Sequence, residues 1–242
     1  MPPVLQELPT RWLLVGNSRW HWAEATASGL QITHTPPPAE PMPPIPAAPL
    51  RAWAAVGPLP ADWAADPLRR MQSRMVPLRG VPTWLGVDRA LAGWMGWHLT
   101  GEPVLVADAG TVLSLTRIDA CGRFCGGRLI AGLGLQLRAM AGGTATLPPP
   151  EPLPARLEAE PWPQATREAM HSGVIHALVA ALAAAHREAL QEEPRCRLVF
   201  SGGDAPPLLP LLQEALPAAA ARRLQWEPDL ALRGLVALRP AC

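Results

Sequence analysis

The stretch PVLVADAGTVLSLTRIDACGRFCGGRLIAG, residues 103–132, decides the fold. It opens with a short apolar run at 104–107 and breaks at Asp108-Ala109-Gly110. It then alternates apolar and polar residues over 111–118, turns at 120–122 and ends in an extended run at 123–130. A short apolar run is typical of a strand buried on both faces, and alternation is typical of a half-buried strand. The stretch therefore predicts three strands joined by tight turns.

The same plan occurs earlier, in RWLLVGNSRWHWAEATASGLQITHT, residues 11–35. Gly16-Asn17 supplies the first break and Ala27-Ser28-Gly29 the second, so three strands are predicted here as well. A proline-rich extended connection, residues 36–49, follows the first copy. Another proline-rich stretch, residues 147–163, follows the second copy and is interpreted as a lid-like or interface excursion.

Helix and strand patterns follow each copy. After the first copy, the sequence predicts a strand at 51–57, a short helix at 61–72, a strand at 74–78 and a helix at 86–99. After the second, it predicts a long helix at 166–191, a strand at 197–203, a helix at 206–216 and a final strand and helix within 224–238. This order predicts an α/β chain of two ribonuclease-H-like domains, 1–102 and 103–242.

Composition excludes several classes of function. The 242 residues are 49% hydrophobic with a net charge of +1, which is typical of a soluble globular protein and gives no sign of a nucleic-acid partner. All the basic residues are arginine. Without lysine, a Walker-type phosphate loop and Schiff-base catalysis are both excluded.

Targeting signals and cysteine patterns predict a cytoplasmic protein without a membrane partner. The N-terminus lacks the basic and apolar regions of a signal peptide, and the apolar run at 173–190 is expected to be too short and too polar to span a bilayer. The four cysteines lack zinc-finger spacing and are interpreted as reduced thiols.

Three polar positions could carry chemistry. Backbone amides at Gly16-Asn17-Ser18 could hold phosphate, although Leu14 stands where a phosphate-handling hairpin would usually place an aspartate. Asp88 in GVDR could accept a proton or could cap the helix that follows it. Asp108 could bind a hard cation or could hydrogen-bond its own turn.

Six short motifs occur in an order that resembles type III pantothenate kinase, a member of the acetate and sugar kinase/actin superfamily. They are VGNSRW, GVDR, DAGT, GGRLIAGLGLQLRAM, ATREAMHSG and FSGGDA. The resemblance implies two ribonuclease-H-like (actin-like ATPase) domains flanking a nucleotide cleft. It also implies ATP-dependent phosphorylation of pantothenate to 4′-phosphopantothenate, the first step of coenzyme A biosynthesis, by a homodimer that binds pantothenate near the subunit interface.

The resemblance also implies residue roles. Asp88 would be the catalytic base, and Arg89 would hold the carboxylate of pantothenate, which its planar fork can grip by both oxygens. Asp108 would bind a monovalent cation, K⁺ or NH₄⁺, close to Mg²⁺-ATP. The implied substrate-binding residues are Gly86, Val87, Asp88, Arg89 and Thr166, although Thr166 could instead be an ordinary helix N-cap. The implied ATP-binding residues are Leu14, Val15, Gly16, Asn17, Ser18, Arg19, Trp20, His21, Thr111, Gly202 and Gly203.

Two departures from the family pattern leave other interpretations open. Leu14 replaces the usual first-motif aspartate, and the chain has no tyrosine for the position upstream of GVDR, where Arg79 or Trp84 could substitute. A non-catalytic nucleotide-binding or regulatory protein on the same fold is one alternative. A sugar or acetate kinase relative is another, and the GVDR motif argues against it.

Overall fold

The computed structural model describes residues 10–38, 50–61, 63, 65–151 and 160–239. Contacts divide the chain into two compact units, one of Met1–Met95 with Ala231–Cys242 and one of Gly96–Leu230. A division by contacts does not delimit a duplication, so the predicted domain bounds, 1–102 and 103–242, stay a prediction.

A four-stranded sheet organises the first unit. Strands β1 (Arg11–Val15), β2 (Trp20–Thr26) and β3 (Gly29–Thr35) form an antiparallel meander. Strand β4 (Leu50–Ala55) pairs with β1 in parallel, which gives the order β3-β2-β1-β4. The three strands predicted for residues 11–35 and the strand predicted after the proline-rich connection are confirmed.

Strand β1 is the buried centre of this sheet. Because side chains alternate between faces, Leu13 and Val15 pack on one side in a cluster with Trp20, Leu50 and Trp53. Trp12 lies on the opposite face, where its Nε1 donates a hydrogen bond of 2.7 Å to the carbonyl oxygen of Arg239.

Two helices of the first unit approach each other closely at a glycine. Helix α1 (Val87–Thr100) begins at the GVDR motif, as predicted, and the C-terminal helix of the chain spans Leu230–Leu238. A methyl group built on Gly234 in that C-terminal helix would lie 2.7 Å from the carbonyl oxygen of Leu91 in α1. The contact is therefore between helix backbones, with no room for a side chain.

The predictions for residues 61–78 are wrong. The described residues here contain two short 3₁₀ turns, Pro67–Arg69 and Ser73–Met75, and an isolated bridge between Arg70 and Trp53, in place of the predicted helix and strand. Residues 62 and 64 lie outside the described residues. Asp66 accepts a hydrogen bond of 2.9 Å from the Leu68 amide and so caps the first turn. The prolines at positions 67 and 77 have no amide hydrogen, which disfavours a helix interior and a paired strand.

A five-stranded sheet organises the second unit. Strands β5 (Val104–Ala109), β6 (Val112–Ile118) and β7 (Phe124–Ala131) are antiparallel. Strands β8 (Arg197–Ser201) and β9 (Leu224–Trp226) extend the sheet in parallel beyond β5, in the order β7-β6-β5-β8-β9. The predicted strands are confirmed, but β5 continues through Asp108 to Ala109, so the break is two residues later than predicted. The first four strands follow the same order in both sheets.

Among the described residues of the second unit, four helices accompany this sheet. They are α2 (Leu133–Gly143), α3 (Thr166–Glu192), α4 (Ala205–Ala215) and α5 (Ala218–Ala221), so the C-terminal helix Leu230–Leu238 is α6. The long helix α3 and the helix α4 are confirmed predictions. The sequence patterns do not single out α2, which lies in the glycine-rich segment after the second hairpin.

Helix α3 is central to the core of the second unit. It buries ten residues, and eight of them, including Ile175 and Leu182, belong to one cluster with residues of α2, α4 and the sheet. By length and composition it is also long and apolar enough to cross a membrane, with an 18-residue window of mean hydropathy 1.3 of which 50% is buried. The prediction that this segment is too short and too polar is therefore wrong. A core helix of a soluble protein meets the same criterion.

Two helical glycines should respond to alanine in opposite directions. Gly234→Ala is expected to lower the free energy of unfolding by about 1–3 kcal/mol, because its methyl group overlaps the backbone of α1. Gly173→Ala in α3, where no atom lies within 4 Å of the built methyl group, is expected to raise it by about 0.5–1 kcal/mol. Urea unfolding of both variants and of the wild type measures the free energy of unfolding. Equal urea midpoints for the two variants would contradict the close contact between Gly234 and Leu91.

Candidate active site

The first glycine turn presents backbone and polar side chains to solvent. The Gly16 amide donates to the Arg19 carbonyl oxygen at 2.9 Å and closes the turn, while Asn17, Ser18 and Arg19 are exposed. This arrangement can offer amides, an amide side chain and a hydroxyl to an anion.

The residues on either side of this turn are less accessible. Leu14 and Val15 end β1 with buried side chains, and Trp20 is buried at the start of β2. His21 is half-buried. Of the predicted ATP-binding residues in this unit, Leu14, Val15 and Trp20 therefore contribute mainly packing.

Gly57 packs directly against the backbone of the first turn. The amides of Val56 and Gly57 both donate to the Val15 carbonyl oxygen, at 3.0 and 3.3 Å. A methyl group on Gly57 would lie 2.1 Å from the Gly16 carbonyl oxygen, so only glycine fits. The sequence patterns do not single out Gly57, although it follows β4 as Gly202 follows β8.

The second turn, Gly110-Thr111, is enclosed by two further glycines. The Gly132 amide donates to the Thr111 carbonyl oxygen at 3.0 Å, and a methyl group on Gly132 would lie 1.9 Å from the Gly110 carbonyl oxygen. Gly202, with φ of 95°, packs so closely that its methyl group would lie 2.2 Å from the Ala109 carbonyl oxygen. The backbone of this turn is therefore fixed from two directions.

Asp108 lies at the end of β5, beside Gly202. A methyl group on Gly202 would lie 2.5 Å from Oδ1 of Asp108, so the glycine leaves room for the carboxylate. The Asp204 amide donates to the Ala109 carbonyl oxygen at 2.9 Å and holds the chain after β8 against the same turn. The structure thus brings Asp108, Thr111 and Gly202 together within the second unit, and Gly203 is exposed next to them.

The GVDR motif forms the first turn of α1. The helix begins at Val87, and Oδ1 of Asp88 accepts a hydrogen bond of 2.8 Å from the Arg89 amide. A methyl group on Gly86 would lie 2.5 Å from that oxygen, so Gly86 allows the carboxylate to fold back over the helix start. The same methyl group would lie 3.8 Å from Val56, which places the motif beside the end of β4.

Burial sets the electrostatics of this pair. Burial raises the pKa of Asp88 above its ordinary value, and the Arg89 amide and guanidinium only partly oppose the shift. Burial also lowers the pKa of the Arg89 guanidinium, with Asp88 opposing that shift. A carboxylate whose proton affinity is raised in this way is a stronger base than a solvated one.

Thr166 is the first residue of α3 and is exposed. The N-cap position belongs to Ala165, which makes no side-chain capping bond. The interpretation of Thr166 as an N-cap is therefore wrong, and its hydroxyl is accessible from solvent.

The two units share one design. In each unit, an antiparallel three-stranded meander is followed by a fourth strand that runs parallel to the first. A glycine just after the fourth strand packs against the backbone where the first strand ends, or against the turn that follows the first strand. This design defines an α/β protein of two ribonuclease-H-like units, the actin-like ATPase fold.

Two solved structures are similar in fold. A conserved protein from Campylobacter jejuni, assigned to the Baf family of transcriptional activators, matches with a TM-score of 0.58 and 14% identity over 94% of this chain and 96% of that one. A protein from Sinorhizobium meliloti described as a 2-dehydro-3-deoxygalactonokinase matches with a TM-score of 0.50 and 15% identity over 96% and 98%.

Sequence similarity identifies the family. A family model for type III pantothenate kinase matches residues 65–188. The type III pantothenate kinase of Synechococcus sp. (strain JA-3-3Ab) is 37% identical over 244 residues, which cover 95% of this chain and 92% of the relative. That of Synechococcus elongatus is 36% identical over 248 residues, covering 95% and 96%. The chain belongs to the type III pantothenate kinase family.

Gly57→Ala should weaken nucleotide binding. The first turn is predicted to hold the phosphates of ATP, and the added methyl group displaces the Gly16 carbonyl and with it the amides of that turn. On that prediction the affinity for MgATP is expected to fall by about 10- to 100-fold. Calorimetric titration measures this affinity. Gly142→Ala in α2, with open space around the built methyl group, is the matched control. Unchanged affinity in Gly57→Ala would contradict the supporting role.

Asp88→Asn should make the protein more stable at alkaline pH. The folded state raises the pKa of Asp88, so it holds the proton more tightly than the unfolded state, and wild-type stability falls as pH rises from the unfolded to the folded pKa. Asparagine avoids the buried charge. The melting temperature of the variant is expected to exceed that of wild type above the folded pKa, with the gain fading as pH falls through it. A variant less stable than wild type at pH 8 would contradict the assignment.

Proposed function

We propose that this protein transfers the γ-phosphoryl group of ATP to the terminal hydroxyl of pantothenate, giving 4′-phosphopantothenate, the first step of coenzyme A biosynthesis. The observation that carries the proposal is Asp88, a partly buried carboxylate of raised pKa in the first turn of α1, in a chain of the type III pantothenate kinase family. An alcohol that attacks phosphorus needs a proton acceptor of this kind.

Asp88 and Arg89 have different roles toward pantothenate in this proposal. Asp88 accepts the proton of the attacking hydroxyl, and the Arg89 guanidinium binds the carboxylate of the substrate. Arg89 follows Asp88 directly in the helix, so the two groups are held on one rigid element. The exposed Thr166 hydroxyl is proposed as a further contact to pantothenate.

The two glycine turns supply the polar groups for ATP. Amides of Gly16–Arg19 with the Asn17 and Ser18 side chains, and Thr111 with the Gly202-Gly203 backbone, are proposed to bind the nucleotide. Mg²⁺ bound with ATP would neutralise charge that develops on the phosphates. Catalysis of the transfer then depends mostly on positioning the reactants, which the fixed backbone of the two turns supports.

Asp108 is the residue proposed to hold a monovalent cation, K⁺ or NH₄⁺. Its carboxylate offers the oxygen ligands that hard cations prefer, at a strand end where Gly202 leaves room for it. Leu14 has no ligand atom and is buried, so the first turn adds no carboxylate at that position.

A cytoplasmic homodimer with pantothenate bound near the subunit interface is proposed for the assembly. Two large apolar side chains close in sequence to the proposed pantothenate residues support it. Trp84, two residues before Gly86, is 72% exposed, and Trp162, four residues before Thr166, is 89% exposed. Tryptophan is enriched at protein interfaces. Trp84 is also the candidate to replace the missing tyrosine.

Leu14 favours a second candidate function, a non-catalytic nucleotide-binding or regulatory protein. Its buried apolar side chain removes the carboxylate that this turn usually carries. Asp88, Arg89, Asp108 and Thr111 are nevertheless all present. A protein without catalysis has no requirement for a proton acceptor in GVDR.

A coupled assay of ADP release, with and without pantothenate and in potassium or sodium buffer, tests the proposal. Turnover is expected only with pantothenate, and Asp88→Asn is expected to lower kcat by about 10²–10⁴-fold. Glu214→Gln, an exposed carboxylate-to-amide change on α4, is the matched control. Wild-type kcat/KM should fall as pH falls through the folded pKa of Asp88, because the base must be ionised.

Two results would contradict the proposal in different ways. A wild type that binds MgATP but gives no pantothenate-dependent turnover under either cation would favour the non-catalytic alternative. Full activity in Asp88→Asn would be consistent with the proposed reaction but would show that Asp88 is not its base.

A further inference from the structure

Two histidines converge on the first sheet, beside the first turn. His21 of β2 and His34 of β3 are directly opposite each other in the antiparallel ladder. Their Nδ1 atoms are 2.9 Å apart, and their ring centroids are 4.9 Å apart in an edge-to-face arrangement. His21 is half-buried and His34 is exposed, so solvent reaches the pair.

The other edge of the His21 ring lies against the turn. A methyl group built on Gly16 would lie 3.4 Å from Nε2 of His21, so this edge is packed and the Nδ1 edge is directed at His34. The register of β2 with β3 and the closeness of Gly16 thus both orient the ring. Orientation of this kind is what a ligand pair requires, because little conformational freedom is then lost on binding.

Two imidazole nitrogens at this separation have two chemical uses. The N–H of one ring can donate a hydrogen bond to the unprotonated nitrogen of the other ring. Alternatively, both can ligate one metal ion, since the neutral imidazole nitrogen is the commonest metal ligand in proteins. With metal–nitrogen bonds of about 2.0–2.1 Å, two nitrogens 2.9 Å apart subtend nearly a right angle at the metal. That angle suits the tetragonal geometry of Ni²⁺ or Cu²⁺ better than the tetrahedral geometry of Zn²⁺.

We propose that His21 and His34 supply the two imidazole ligands of a binding site for one divalent transition-metal ion of the imidazole-binding class. The donor set separates this site from Asp108, because imidazole nitrogen selects borderline ions whereas a carboxylate suits Mg²⁺ and K⁺. The proposal does not rest on the proposed kinase activity.

Calorimetric titration with Ni²⁺ tests the site. Untagged full-length protein carrying Cys121→Ser and Cys125→Ser is the background, since these two thiols are exposed and would compete for the ion. The background is expected to bind one equivalent of Ni²⁺ at pH 7.5 and to bind Mg²⁺ no better than a variant without the pair. His21→Gln and His34→Gln are each expected to weaken Ni²⁺ binding by about 10- to 100-fold.

His176→Gln, which changes an exposed histidine on α3, is the matched control and should bind Ni²⁺ like the background. Circular dichroism of each variant checks that the sheet is intact. Failure of the background to bind one equivalent, or affinity that survives both substitutions, overturns the proposal. So does a histidine NMR spectrum that shows a shared proton and does not change with Ni²⁺, which would mean a hydrogen-bonded pair only.

Discussion

Close backbone packing at glycines is the constraint on which the rest of this structure depends. Gly57 and Gly202 each follow a strand that runs parallel to the first strand of its sheet, and each packs on backbone at the end of that first strand or in the turn after it. A β-carbon at either position would overlap a carbonyl oxygen. The two glycine turns are therefore fixed by main-chain contacts, and their amides are held in defined positions in a chain that has no lysine.

A glycine also makes room for a close contact in the GVDR motif. Gly86 leaves room for the Asp88 carboxylate, which accepts a hydrogen bond from the Arg89 amide. Burial raises the pKa of Asp88. A buried ionised carboxylate is unfavourable for folding, whereas a raised proton affinity suits the base proposed for this position. Such local costs are common where a fold carries a reaction.

Much of the fold could be predicted from the sequence because its signals are local. Alternation and glycine breaks within residues 11–35 and 103–132 determine both meanders, and the apolar run after Thr166 determines α3. The predictions fail where local and tertiary preferences differ. Residues 61–78 have helix-like and strand-like composition, but prolines prevent both structures. Asp108 looks like a turn residue, yet pairing with β6 and β8 keeps it in a strand.

The sequence by itself determined both meanders, the helices α1, α3 and α4, the residue types of the family motifs and the exclusion of lysine chemistry, because these depend on neighbours along the chain. The tertiary structure decided which residues meet. Gly57 lies far in sequence from the turn that it supports, His21 faces His34 only in one strand register, and Asp88 acquires its raised pKa only by burial. Each of these depends on contacts between residues distant in sequence, and no local pattern encodes their distances or the water that packing removes.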